Sequence, residues 1–126
     1  MKYLIDTHVF LWWMVTPERL SPAAREAIET ESAEIAFSTI SGWEIAIKSS
    51  LGKLNGVPLG DLPAEIAGFG WTELPLRLQH LPVLAELPFY HRDPFDRGLI
   101  AQAMAEKLIF ITRDERATLY DLPTFW

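Results

Sequence analysis

Cysteine is absent from the 126 residues, which excludes a disulfide framework, a thiolate metal site and a cysteine nucleophile. Long apolar runs are absent too. The longest, Val9 to Val15, is far short of the roughly 20 residues that cross a bilayer. Asp6 breaks the N-terminal apolar stretch and no small-residue cleavage site follows, so no secretory signal is expected and a cytoplasmic location is. Positive charge is scarce: 11 Lys+Arg stand against 17 Asp+Glu, for a net charge of −6. A module that grips nucleic acid by charge alone is expected to be basic. Either no nucleic acid is bound, or something else supplies positive charge at the contact, such as a divalent cation held by carboxylates.

Several site types are missing as well. The nearest fragment to a phosphate-binding loop, Gly52-Lys53-Leu54, lacks the first Gly and the Ser/Thr. Gly68-Phe69-Gly70 runs to Glu73 where a dinucleotide fingerprint needs Gly. No G-x-S-x-G is present. An aspartyl-phosphate hydrolase would want a second Asp two residues after Asp6, where His8 stands. His8, His80 and His91 have no zinc-type spacing and read as structural.

What is present suits one globular domain over residues 1–126, with 49% hydrophobic residues and no repeat or linker. Strands and helices alternate. Strands are predicted at Lys2–Ile5, Glu34–Phe37, Trp71–Leu74 and Leu108–Ile111, with an edge strand in the tail Pro123–Trp126. Helices are predicted at Val9–Val15, from Ser21-Pro22 to about Glu31, from Ile40 to about Leu51, from Asp61 to about Ala67, over Leu76–Leu87 with Pro82 starting or kinking it, and from Asp93-Pro94 to about Lys107. Val9–Val15 is apolar all round, so it is expected to be buried, and Trp12-Trp13 is its best piece of interface. This alternation predicts an α/β fold with a parallel sheet flanked by helices.

Sites in such sheets lie beyond the carboxyl ends of the strands. Asp6 directly follows the first strand, and Asp114 comes three residues after Ile111. Glu44 sits early in the helix after the second strand. Asp96 lies in the first turn of a helix that precedes a strand, so it joins only if the chain first crosses back to that edge. Four carboxylates converging there would repel one another and hold at least one proton near neutral pH, unless a hard cation such as Mg²⁺ or Mn²⁺ lay among them. Each acid also has a structural reading. Ser41-x-x-Glu44 and Thr112-x-x-Glu115 match capping boxes, and Asp93-Pro94 reads as a cap with Asp96 complementing the helix dipole. Asp6 has no such local partner.

Leu4-Ile5-Asp6-Thr7-His8, Ser38-x-x-Ser41-x-Trp43-Glu44-Ile45, His91-Arg92-Asp93-Pro94-Phe95-Asp96-Arg97, Leu99-Ile100-Ala101-Gln102-Ala103 and Ile111-Thr112-Arg113-Asp114 together resemble the PIN-domain ribonucleases, in particular the VapC toxins of type II toxin–antitoxin pairs. The resemblance runs through nearly the whole chain, and is weakest over Asn55 to Glu86. It implies that Asp6, Glu44, Asp96 and Asp114 bind Mg²⁺ or Mn²⁺, with Thr7 and Thr112 as supporting hydroxyls and Asp93 outside the ligand set. It implies metal-assisted hydrolysis of RNA phosphodiesters, with Asp6 or Asp96 orienting the attacking water. Arg92, Arg97, Arg113 and Arg116 flank the acids and could hold the RNA backbone, Arg97 and Arg113 above all, or pair with the acids instead. A VapB-type antitoxin and a homodimer are the implied partners. The alternatives are a PIN-fold nuclease acting on DNA or in RNA processing outside such a pair, and a binding module without catalysis. A short overlapping upstream frame encoding an antitoxin would discriminate between them.

Overall fold

The computed structural model describes residues 1–126. Five parallel strands form one sheet: β1 Lys2–Ile5, β2 Glu34–Ser38, β3 Thr72–Leu74, β4 Ile109–Ile111 and β5 Thr124–Phe125, in the order β3-β2-β1-β4-β5. Tyr3 aligns with Ile35 on one side and Ile109 on the other, and Leu4 with Ala36 and Phe110. Successive side chains on a strand point to opposite faces, and the central strands accordingly feed two cores. Tyr3, Ile5, Ile35, Phe37 and Ile111 join one, and Leu4 and Phe110 the other. A strand covered on both faces needs an unbroken apolar run rather than alternation, which is what Tyr3-Leu4-Ile5 supplies.

Six α-helices cover the sheet: α1 Thr7–Val15, α2 Pro22–Glu29, α3 Thr39–Ser50, α4 Leu62–Gly68, α5 Leu81–Glu86 and α6 Pro94–Glu106. Local chemistry sets their starts. Ser21 accepts the Ala24 N–H ahead of Pro22, and Asp93 accepts the N–H groups of Phe95 and Asp96 ahead of Pro94. Pro82 is the second residue of α5 and follows a 3-10 turn at Leu78–His80, so it starts the helix rather than kinking it. The expected box at Ser41 does not form. The cap of α3 is Ser38, whose Oγ accepts the Ile40 N–H at 3.0 Å. Ser41 lies inside the helix and its hydroxyl meets Thr7 Oγ1 at 2.8 Å, which frees Glu44 from any capping role.

The expectation that α1 is buried all round needs correcting. Val9 and Phe10 are fully buried, but Val15 is 51% exposed. Trp12 meets Trp126, and Trp13 meets Phe69 and Trp71. The outward apolar surface of this helix is therefore largely covered by aromatics of its own chain. Gly98 lets α6 close on α3, because a Cβ there would lie 2.7 Å from Ile40 Cδ1. That contact holds together the two helices that carry Asp96 and Glu44. No helix is long and apolar enough to cross a membrane.

Candidate active site

Three acids meet at the carboxyl edge of the sheet. Asp6 ends β1, and its backbone N–H is held by Ile111 O at 3.0 Å. Asp114 follows β4 and caps the 3-10 turn Glu115–Leu119, accepting the Arg116 N–H at 2.9 Å. Thr112 ties the two loops together. Its hydroxyl donates to Asp6 Oδ2 at 2.7 Å and accepts the Asp114 N–H at 3.0 Å. Asp96 reaches the same edge because both α5 and α6 intervene between β3 and β4, so the chain can cross back before α6 begins. Asp6, Asp96 and Asp114 line one open cavity of about 540 Å³, together with Trp12 and Arg113. Glu44 does not line it. It is 2% exposed, and Lys48 one turn along α3 donates to its Oε2 at 2.6 Å.

These carboxylates are poorly served by the protein. Asp6 Oδ1 and Glu44 Oε1 are buried without any hydrogen-bond partner, a state that costs free energy unless something outside the chain satisfies them. Burial, with a smaller contribution from the Glu44 charge, holds the Asp6 carboxyl above the usual carboxylate range despite the Thr112 hydrogen bond. Burial also pushes Asp96 up to about 7, helped by the charges of Asp93, Asp6 and Glu44. Asp114 goes the other way. Its partial burial raises it, but the hydrogen bonds from His91 and the Arg116 N–H, with the Arg116 charge, outweigh that and hold it low. Burial and mutual repulsion thus favour a shared proton in this cluster near neutrality.

Hard oxygen donors with orphaned lone pairs fit Mg²⁺ or Mn²⁺ better than any softer ion. One group of ligand-type atoms lies within 4.8 Å of one another: His91, Asp96 and Asp114. His91 Nε2 is already engaged with Asp114 Oδ2 at 2.5 Å, and its Nδ1 meets Tyr120 Oη at 2.9 Å. Tyr120 Oη accepts the His91 backbone N–H, so its own proton is free for Nδ1. Nε2–H then donates to Asp114, and the imidazole acts as a positioning group. Sequence reasoning read His91 as structural and missed this bond. The only available signal was its place in the His91-to-Arg97 motif.

The other flagged residues divide. The Thr112 hydroxyl donates to Asp6, whereas the Thr7 hydroxyl pairs with that of Ser41. Arg113 lines the cavity with Arg116. Arg97 does not. It is 9% exposed, and it donates to the carbonyls of Pro88, His91, Leu84 and Leu87 over the ring of Phe89. Its expected hold on RNA is therefore corrected to a hold on the loop that leads into α6.

The sequence matches the PIN domain over residues 3–123. The chain belongs to the PIN-domain family. This PIN domain is 29% identical over 127 residues to ribonuclease VapC22 of Mycobacterium tuberculosis, a match covering 98% of this chain and 97% of that protein. Its fold is shared with the structure of VapBC2 from Rickettsia felis bound to a promoter DNA fragment (TM-score 0.73, 13% identity, 99% of this chain and 98% of that one). It is shared also with a toxin–antitoxin complex from Klebsiella pneumoniae (TM-score 0.65, 15% identity, 98% and 96%). At those identities the two structures speak for the PIN fold alone.

Proposed function

We propose that this PIN-domain protein is a Mg²⁺- or Mn²⁺-dependent endoribonuclease and the toxin half of a toxin–antitoxin pair, with residues 1–126 as one catalytic unit acting in the cytoplasm. The observation that carries the reading is the pair of orphaned buried oxygens, Asp6 Oδ1 and Glu44 Oε1, in a cluster with Asp96 and Asp114. Asp6, Asp96 and Asp114 would hold the cation, with Glu44 adding its charge from inside α3. When bound, the cation would neutralise charge on a phosphate oxygen and make a water acidic enough to attack. The chain's own groups do the rest. The Asp96 carboxylate, at the cavity beside Asp6, orients the attacking water. Thr112 fixes Asp6, and His91 fixes Asp114, so neither acid must reorganise. Arg113 and Arg116 stand at the cavity to meet the RNA backbone.

The ribonuclease relative and the toxin–antitoxin neighbour support the RNA and partner parts of this reading. An acidic cleft suits an antitoxin that lays an apolar helix on the protein and sends a basic side chain toward Asp6 and Asp96. A homodimer remains part of the proposal, although α1 is no longer its support. Light scattering at micromolar concentration checks it.

The direct test is cleavage of total RNA with Mn²⁺, with Mg²⁺ and with EDTA. Cleavage is expected with either metal and not with EDTA, and millimolar Mn²⁺ is expected to raise the melting temperature. Undiminished cleavage in EDTA would end the metal reading, and cleavage of matched single-stranded DNA in preference to RNA would favour the DNA alternative.

A further inference from the structure

The cavity wall opposite the acids is unlike the rest of the site. It carries a tryptophan, Trp12, which packs against Trp126 and also lines the cavity. Trp12 is half-buried on α1 and is the one hydrophobic residue lining the cavity with Asp6, Asp96 and Asp114. Its aromatic neighbours do not lie flat against it. Trp126 meets it at 61° with centroids 5.8 Å apart, and His8 at 44° and 6.2 Å. The Arg113 guanidinium carbon lies over the ring at 5.9 Å from its centre, at the outer reach of a cation–π contact. No aromatic ring of the chain stacks parallel on the indole, and the one group over its face is the Arg113 guanidinium. Trp13, the next residue, shows the contrast: it packs among Phe69 and Trp71, away from the acids.

We infer that Trp12 is a stacking platform for one unpaired nucleobase of the RNA substrate, next to the phosphate that the acids address. His8, exposed at the same wall, flanks the base, and Arg113 holds its backbone. The chemistry favours this occupant. An aromatic wall facing a carboxylate cluster would repel a free anion, but it suits a ligand with a flat π-face on one side and a phosphate on the other. Stacking needs a base splayed out of a helix, so the substrate class is single-stranded RNA or a loop. Because every base presents a π-face, the platform selects for an unpaired base more than for its identity. In an acidic protein this contact also supplies affinity that charge cannot. The inference rests on the nuclease reading above, and its test separates the two.

A short 2′-O-methyl oligoribonucleotide, checked by gel to be intact after each measurement, carries an abasic residue walked through each position, and its binding is followed by fluorescence anisotropy with Mg²⁺ present. For the wild-type protein one position is expected to be sensitive, with loss of the base weakening binding about ten-fold. In Trp12→Leu, which keeps apolar volume against Trp126, that sensitivity is expected to vanish, and in Trp12→Phe to persist in reduced form. Melting temperatures confirm that both variants are folded. If Trp12→Leu fails to fold, the Trp12→Phe and His8→Ala variants carry the test, each expected to reduce the abasic penalty at that same position. A wild-type protein with no sensitive position, or variants that keep the full penalty, overturn the platform. Cleavage of unmodified RNA by the wild type is scored separately. A sensitive position without cleavage leaves the platform standing and removes the nuclease, and cleavage without a sensitive position does the reverse.

Discussion

Two groups of buried polar side chains share helix α6 and differ in one respect. Around Ser38, Gln102, His80 and Arg97 no buried polar atom is left without a partner. Ser38 donates to Gln102 Oε1, Gln102 reaches Pro75 O at 3.3 Å, His80 bridges the Arg77 N–H and Glu106, and Arg97 spans four carbonyls. Around Asp6 and Glu44, oxygens are left without partners, and Asp96 titrates near neutrality. The third orphan, Glu65 Oε2, is on α4 and does not line the cavity. A buried polar group that is fully paired contributes to holding the fold. A carboxyl oxygen buried without a partner lowers the stability of the fold, and its presence points to an external partner.

The comparison breaks if substitution in the two groups has the same effect. The largest difference is expected for Asp6→Asn, which keeps the side-chain shape and removes a charge. RNA cleavage should fall roughly 10³-fold, while the metal-free melting temperature stays level or rises. A destabilised but fully active Asp6→Asn protein would put this residue in the structural group. Arg97→Met is expected to do the reverse. It strands carbonyls that a buried guanidinium now serves, at a cost of about 2–3 kcal/mol in urea unfolding, while the folded fraction keeps its cleavage rate.

A smaller effect, roughly 1–2 kcal/mol once solvent screening of this part-exposed group is allowed for, concerns pH. Asp96 has a folded pKa of about 7, above its unfolded value of 3.8. Its stabilising contribution is therefore present in full below about pH 4 and is lost as pH rises through 7. Urea unfolding of the metal-free protein between pH 5 and 8 should show that loss, and Asp96→Asn should reduce it, leaving the part that the raised Asp6 carboxyl contributes with the same sign. Asp114, held low, acts only below its ordinary range and leaves this window clear. The smallest effect is expected for Ser38→Ala, about 1 kcal/mol from one lost cap and one lost side-chain bond, with cleavage unchanged.

How much of this was legible in the chain varies by residue. Asp6 and Asp114 could be placed because a strand's end fixes an edge. Asp96 could be placed only by resemblance, since its convergence depends on α5 and α6 both intervening before β4. Arg97 was misread because its flanking acids suggest a surface cation, whereas the carbonyls it serves lie up to 13 residues away along a loop of irregular path. His91 was undervalued for the same reason: Asp114 is 23 residues away in sequence.

Periodicity, prolines and caps thus determine the elements and their order, because those signals act between neighbours a few residues apart. The parallel sheet follows from that order, and with it the edge where Asp6 and Asp114 must meet. The tertiary structure alone decided which polar groups are satisfied. It made Glu44 a buried charge rather than a cap, tied His91 to Asp114, turned Arg97 inward and set Trp12 facing the acids. Hydrogen-bond satisfaction and desolvation depend on what surrounds a group in space, and sequence spacing does not carry that information.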